Sequence, residues 1–321
     1  MDEPVAYLNG RFLPASQLAV SPADTGFLQG AAVAEQLRTF GGKLFCLDEH
    51  LARLERSLQI AEIDPRRTRP ELAAIAEELV ARNHRLLDPA DDLGLSIFIT
   101  PGPYPAYAAS GLDPESVGGD LGEPTVCLHT YPLPFAQWAQ KYRTGLSLVT
   151  TPVEQVPAAC WPPALKCRSR MHYYLADRKA ARIEPGARAL LLDRDGQVTE
   201  TSTANILVYA GGLGLLSPPE DSVLVGISLA ALARLARQLG IPSSYRRLSP
   251  ADVAGAEEVL VSSTPWCLLP VTRFNGRPIA NGMPGPVFNR LLAAWGEWVR
   301  VDIAGQAQRF AQRFDKPRIA T

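Results

Sequence analysis

Residues 164–209, ALKCRSRMHYYLADRKAARIEPGARALLLDRDGQVTETSTANILVY, read as one lysine in an unusual setting, then a helix, then a hairpin that delivers a glutamate. Lys166 follows Cys160-Trp161-Pro162-Pro163-Ala164-Leu165, an apolar, proline-stiffened approach. An amine desolvated by such surroundings loses proton affinity and becomes a usable nucleophile for an aldehyde. The chain holds 32 lysines and arginines, and the lysines among them are Lys43, Lys141, Lys166, Lys179 and Lys316. Arginine is used where charge alone is wanted, so each lysine carries more information than usual. The competing reading of Lys166 is a lysine that lays its stem along a domain edge.

Downstream, residues 170–183 have a helical pattern. Ala189-Leu190-Leu191-Leu192 is a buried-strand run, Asp193-Arg194-Asp195-Gly196 is turn chemistry, and 198–209 alternates as a second strand. Glu200 therefore falls on the returning arm of a hairpin, with Asn205 further along the same strand. Such a carboxylate is either an exposed strand residue or the partner of a protonated ring nitrogen. A lysine that forms a Schiff base and an acid that keeps a pyridine ring protonated are the minimum that pyridoxal chemistry asks of a protein.

The pattern Lys166, Gly186-Ala187, Leu190-Leu191-Leu192-Asp193, Asp195-Gly196-Gln197-Val198-Thr199-Glu200 and Asn205 resembles the class IV (fold-type IV) pyridoxal-phosphate aminotransferases. Branched-chain and D-amino-acid aminotransferases and aminodeoxychorismate lyase belong to that group, and the resemblance runs from about Tyr7 to about Leu292. It implies an α+β, two-domain fold. A small N-terminal α+β domain would cover 1–133, a linker 134–145, and a larger C-terminal domain built around a β-barrel-like sheet 146–321.

The resemblance also implies a site. Lys166 would carry pyridoxal 5′-phosphate as an internal aldimine and shuttle the proton, and Glu200 would face the ring nitrogen. Arg53, in His50-Leu51-Ala52-Arg53-Leu54, would grip the phosphate together with Ile227, Ser228, Ser263 and Thr264. From the residues alone, Arg53 lies off the Leu51/Leu54/Leu58 stripe and reads as a solvated helix arginine. A glycine before a helix N-terminus, as at Gly226, suits an anion. Glu35 and Arg38 fit the family's spacing on the substrate-side strand. Ala34 stands where relatives carry a large aromatic, which implies a roomier substrate pocket. Tyr104, Tyr107 and Trp266 are further candidates for lining it, though each also reads as a packing residue.

Two departures bear on substrate. The arginine that D-amino-acid enzymes place after the Thr100 position is missing from Pro101-Gly102-Pro103-Tyr104, and Met171 replaces the tyrosine of branched-chain enzymes. The expected reaction moves an amino group between an amino acid and a 2-oxo acid. The alternatives are a lyase of the same fold and a relative that binds the cofactor or another phosphate without turnover. Glu35-Gln36 is transaminase-like where the lyase has hydroxyl residues, and a pure binder needs neither Lys166 nor Glu200.

Elsewhere the sequence sets bounds. At 321 residues the chain can bury two modest cores. A net charge of −1 gives no electrostatic case for nucleic acid or an acidic membrane. No apolar run approaches the ~18 residues of a membrane span, and Met1-Asp2-Glu3-Pro4 lacks signal-peptide chemistry. The five cysteines lack CxxC spacing and, like the four scattered histidines, point to no metal site. A reducing cytoplasm is expected. Asp48 is the expected N-cap of a helix, 125–130 a strand, and the segment from Gln306 a polar tail. Residues 101–124 read as a long loop, and the resemblance makes it an arm that completes a partner's site in a homodimer.

Overall fold

The computed structural model describes residues 3–108 and 122–314. The chain forms two compact units, Met1–Leu133 with Leu165–Ser169, and Pro134–Ala164 with Arg170–Thr321. The first unit is one antiparallel sheet of β1 (Val5–Leu8), β2 (Arg11–Pro14), β3 (Val33–Phe40), β4 (Lys43–Leu44), β5 (Leu93–Thr100) and β6 (Thr125–Pro132), in the order β2-β1-β6-β5-β3-β4. The β1–β2 hairpin turns on Asn9 and Gly10, both at positive φ, as a two-residue primed turn requires. Period-two alternation sorts β3 and β5. Val33, Leu37, Leu95, Ile97 and Ile99 pack under the helices Leu47–Ile60 and Arg69–His84. Ala34, Gln36 and Arg38, opposite Phe98, Ser96 and Gly94, take the other face.

The Leu47–Ile60 helix starts differently from expectation. Its N-cap is Cys46 in a left-handed conformation, and Asp48 sits inside the first turn with Glu49, where both carboxylates favour the helix's positive end. The next helix has the capping box that Thr68 and Glu71 encode.

In the second unit, β7 (Leu146–Thr150), β8 (Arg188–Leu192), β9 (Val198–Thr201), β10 (Asn205–Ala210), β11 (Gly214–Ser217), β12 (Ser243–Tyr245), β13 (Glu258–Ser263), β14 (Cys267–Phe274) and β15 (Arg277–Pro278) form one sheet. Its path β10-β13-β14-β7-β8-β9 returns to β10, so six strands close into a barrel. The closing contact is the pair Glu200↔Asn205. Residues 198–209 are thus two strands, where the alternation predicts one. Thr201 makes the difference: its backbone N–H and its hydroxyl both donate to the Ala204 carbonyl, and the Ala204 N–H donates back to the hydroxyl. A threonine that bonds its own backbone three residues on offers the chain a turn in place of a straight strand. The helix Met171–Ile183 lays Ala176 and Ala180 on Val149, Ala189 and Leu191.

The segment 134–145 folds as two short helices, Phe135–Ala139 and Lys141–Thr144, with Phe135, Trp138 and Tyr142 buried. The apolar side chains that make it look unlike a strand are core residues of the second unit, and Phe310 packs on Phe135. That contact belongs to a final helix, Ile303–Phe314, in which Gln306 and Ala307 are buried, so the polar tail is helical to Phe314. Of the 101–124 segment, Pro105–Ala108 is a helical turn and residues 109–121 lie outside those described. Among the described residues no helix is long and apolar enough to cross a membrane.

Strand β13 leads to Ser263 and Thr264, and its first residue is tied to the helix Pro286–Val299. The buried Glu258 carboxylate accepts from Val287 N at 2.7 Å and Phe288 N at 2.9 Å. It caps a helix whose N-cap residue, Gly285, has no side chain to do so. Glu258→Ala is expected to lower unfolding stability by about 2–4 kcal/mol, the range for two charge-assisted bonds lost on burial, read by urea denaturation. A loss below about 0.5 kcal/mol contradicts the capping role.

Candidate active site

In the first unit, Lys166 sits on a short added edge of β3. The Lys166 carbonyl accepts from Ala34 N at 3.0 Å, Arg168 N donates to the Ala32 carbonyl at 2.8 Å, and Val33 pairs with Cys167. Paired residues share a face, so Cys167 turns with Val33 toward the helices. Lys166 and Arg168 turn with Ala34 to the other side. The Lys166 N–H donates to Ser57 Oγ at 3.2 Å, and Leu165 packs against the core beneath. Lys166 is half-buried. The proline-stiffened approach does not enclose it: Cys160, Pro162 and Ala164 are exposed. What fixes Lys166 is backbone pairing to a sheet edge.

Beneath that edge lies a buried charge cluster. Arg53 Nε donates to Glu35 Oε1 at 2.7 Å and Nη2 to Oε2 at 2.8 Å, while His50 Nδ1 is 2.7 Å from Oε2. Arg53 is 5 % exposed, which corrects the solvated reading. The helix stripe is wider than the leucines alone show, because Glu35 on β3 offers arginine a bidentate partner inside. Burial raises the Glu35 pKa, but the charge and hydrogen bonds of Arg53 and then of His50 outweigh it, so the carboxyl is held far below its ordinary value. Burial lowers the His50 pKa; Glu35 opposes this, and Arg53 and Lys166 add to it. His50 is therefore a neutral imidazole whose Nδ1–H donates to Glu35, and its Nε2 is buried without a hydrogen-bond partner.

In the second unit, Glu200 stands at the barrel closure. Tyr173 Oη donates to its Oε1 at 2.7 Å and Gln155 Nε2 donates to the same oxygen at 2.9 Å. Gln155 Nε2 also donates to Tyr173 Oη at 3.0 Å, and Val156 N holds the Gln155 carbonyl oxygen, which aims the NH2 at Glu200. Burial and the Glu200 charge push the Tyr173 pKa well up, so the phenol stays a donor. Two donors on one oxygen suit a negative carboxylate. Asp177, on the Tyr173 helix, accepts from Ala189 N and Ser202 Oγ, which ties that helix to the turn after Glu200.

Asn205 connects this carboxylate to an anion cradle. It pairs with Glu200 on one side and with Ser262 on the other, and its Nδ2 donates to the Leu224 carbonyl at 2.7 Å. That bond positions Gly226, the N-cap of the helix Ile227–Gln238, which no side chain caps among the described residues. A Cβ on Gly226 would meet Asn205 Oδ1 at 2.2 Å, so only glycine fits. Ser228 Oγ lies 3.4 Å from Thr264 Oγ1, and Ser262 Oγ is buried without a hydrogen-bond partner. An uncapped helix N-terminus flanked by hydroxyls is what a phosphate takes.

The remaining candidates fall elsewhere. Arg38 is fully buried, 3.7 Å from Asp92 and stacked 4.0 Å over the Phe40 ring. Trp266 is buried in edge-to-face contact with Trp138. Ala34 is buried on the Lys166 face of β3, Tyr104 is half-buried and Tyr107 exposed. Gln155 and Tyr173 were not legible as site residues. Both act through Glu200 across 45 and 27 positions of sequence, and no local motif marks them.

The model of the family described as amino-transferase class IV matches residues 32–274, from the Lys166-facing strand through β14. The chain belongs to the class IV aminotransferases. It is 30 % identical over 290 residues to a D-alanine aminotransferase of Bacillus licheniformis, covering 89 % of this chain and 94 % of that one. A putative branched-chain-amino-acid aminotransferase of Methanocaldococcus jannaschii is 29 % identical over 287 residues, 89 % and 93 % of the two chains. Among solved structures, the branched-chain amino acid aminotransferase from Escherichia coli has a TM-score of 0.76 at 22 % identity, over 92 % of this chain and 94 % of its own. That likeness shows the fold. This class IV aminotransferase is a transaminase, and the family works with pyridoxal 5′-phosphate. Within the second unit the residues present fit that group: a carboxylate clamped by donors, and an uncapped helix N-terminus flanked by hydroxyls.

The charge cluster sets a pH signature. With its folded pKa below its unfolded one, His50 binds its proton more readily in the unfolded chain. Its contribution is thus complete above the ordinary imidazole value and is lost as pH falls below it. Unfolding free energy should drop between about pH 6.5 and 5, with each such histidine contributing up to about 1.4 kcal/mol per pH unit. His129 and His172, also lowered by burial, share in it. His50→Gln should flatten the slope by about one proton; an unchanged slope in urea titrations across that range contradicts the neutral, buried assignment.

Proposed function

We propose that this transaminase uses Lys166 to hold pyridoxal 5′-phosphate covalently and takes α-amino acids as donors and 2-oxo acids as acceptors. The clamp on Glu200 carries this reading, because a binding protein has no use for a carboxylate fixed by a tyrosine and a glutamine. Bound there, the cofactor supplies an electron-withdrawing ring that lets the substrate's α-hydrogen leave as a proton. The Lys166 amine would be the base that takes that proton from the α-carbon and the acid that returns it. Glu200 would face the ring nitrogen, with Tyr173 and Gln155 keeping its oxygen in place. The N–H groups of Ile227 and Ser228, the hydroxyls of Ser228, Ser263 and Thr264, and Arg53 braced by Glu35 bind the phosphate. Ala34 widens the space beside Lys166, and Tyr104 and Tyr107 flank the substrate. Cytoplasmic homodimers complete the proposal.

The test is a half-reaction. Holoenzyme mixed with D- and L-amino acids should lose the visible band of its covalently held cofactor and regain it on adding a 2-oxo acid. Lys166→Ala should show no such band, and Glu200→Gln should slow bleaching roughly a hundredfold or more. A band that no amino acid bleaches sinks the proposal; turnover that needs no 2-oxo acid indicates the lyase.

A further inference from the structure

An amino acid needs a counter-charge for its carboxylate, and Pro101-Gly102-Pro103-Tyr104 offers none. The first unit places a cation elsewhere on the Lys166 face. Arg168 lies two residues past Lys166 on the same added edge, so the two side chains leave one face about 7 Å apart at their bases. Arg168 is exposed, and its Nη2 donates to Ser96 Oγ at 3.0 Å. Ser96 is on β5, beyond β3, in register with Gln36. To reach it the arginine must cross β3 beside Ala34, whose methyl is small enough to let it pass. An aromatic at that position would stand in the way. The small residue and the arginine therefore belong together: the pocket is not simply roomier, it is refurnished with charge.

The rest of that face favours an anion. Arg38, further along β3, is engaged by Asp92, which also accepts from the Thr39 hydroxyl and the Gly42 N–H. Tyr131 lies over Gly94, where a Cβ would sit 2.1 Å from the ring. Burial pushes its pKa up to about 12, so it remains a hydroxyl donor. His129, in register with Ser96, is lowered by burial first and also by the Arg168 charge, and stays neutral. A guanidinium presents its N–H donors in a planar fork that matches a carboxylate, and the bond to Ser96 orients that plane.

We propose that Arg168, oriented by Ser96 and admitted by Ala34, is the residue that holds the α-carboxylate of the substrate. The inference deepens the transaminase reading and rests on it. It makes the enzyme one for α-amino acids and not for plain amines.

Holoenzymes of wild type, Arg168→Gln and Arg168→Lys are compared in half-reactions with D- and L-alanine against ethylamine, and with D- and L-leucine against isoamylamine. Propionate binding to each is measured by calorimetry, a readout that needs no turnover. In Arg168→Gln the ratio of kcat/KM for amino acid to that for the matching amine should fall at least about tenfold, and propionate affinity by a similar factor, as for a lost charge-assisted bond. Arg168→Lys should recover part of both. Equal losses for amine and amino acid, or unchanged propionate affinity, overturn the proposal and leave Arg168 a packing residue. A loss confined to dicarboxylic amino acids also overturns it, because the distal carboxylate is then the one held. A wild-type holoenzyme that bleaches with no amino acid overturns the transaminase reading, and this inference falls with it.

Discussion

The pairing of Glu200 with Asn205 closes the barrel of the second unit, and most of what that unit offers chemically follows from it. Closure covers the edge that β9 would otherwise present, against the start of β10, whose later residues pair with β11, and it fixes a carboxylate on one side of the seam. Asn205, on the other side, is paired with β13 and bonded to the loop before the Ile227–Gln238 helix. One residue thus sets the spacing between the carboxylate and the helix N-terminus. Both features are rigid because they share the seam and not because either is locally stiff.

The first unit solves a different problem. It holds Lys166 by adding its segment to the edge of β3, and it fills the space beneath with Glu35, Arg53 and His50. A buried ion pair is a poor source of net stability, yet breaking one by removing a partner costs about 3–5 kcal/mol. The cluster is therefore best understood as fixing geometry. Glu35 cannot turn away without losing the bidentate bond to Arg53 and the contact with His50, so Arg53 and the strand that carries Ala34 stay in register.

Much of this was legible in the sequence, for identifiable reasons. The helix Met171–Ile183 and the strands Arg188–Leu192 and Thr125–Pro132 match expectation because apolar periodicity and turn residues agree there. The seam was not legible, because 198–209 alternates without a break and the bend comes from a threonine hydroxyl answering its own backbone. The burial of Arg53 was hidden for a related reason: a charged residue on a helix reads as solvated until its partner is known. Segment 134–145 read as a connector because it has no strand period, yet its aromatic residues are core. Gln155, Tyr173 and Arg168 owe their places to tertiary contacts, which no window of sequence contains.

The central claim is that barrel closure presents Glu200 as a carboxylate to the ring nitrogen of the cofactor. It is tested most directly by nitrogen-15 NMR of holoenzyme reconstituted with cofactor labelled at that nitrogen. The account predicts a pyridinium resonance that persists across neutral and mildly alkaline pH. A neutral-pyridine resonance in the native enzyme would contradict it.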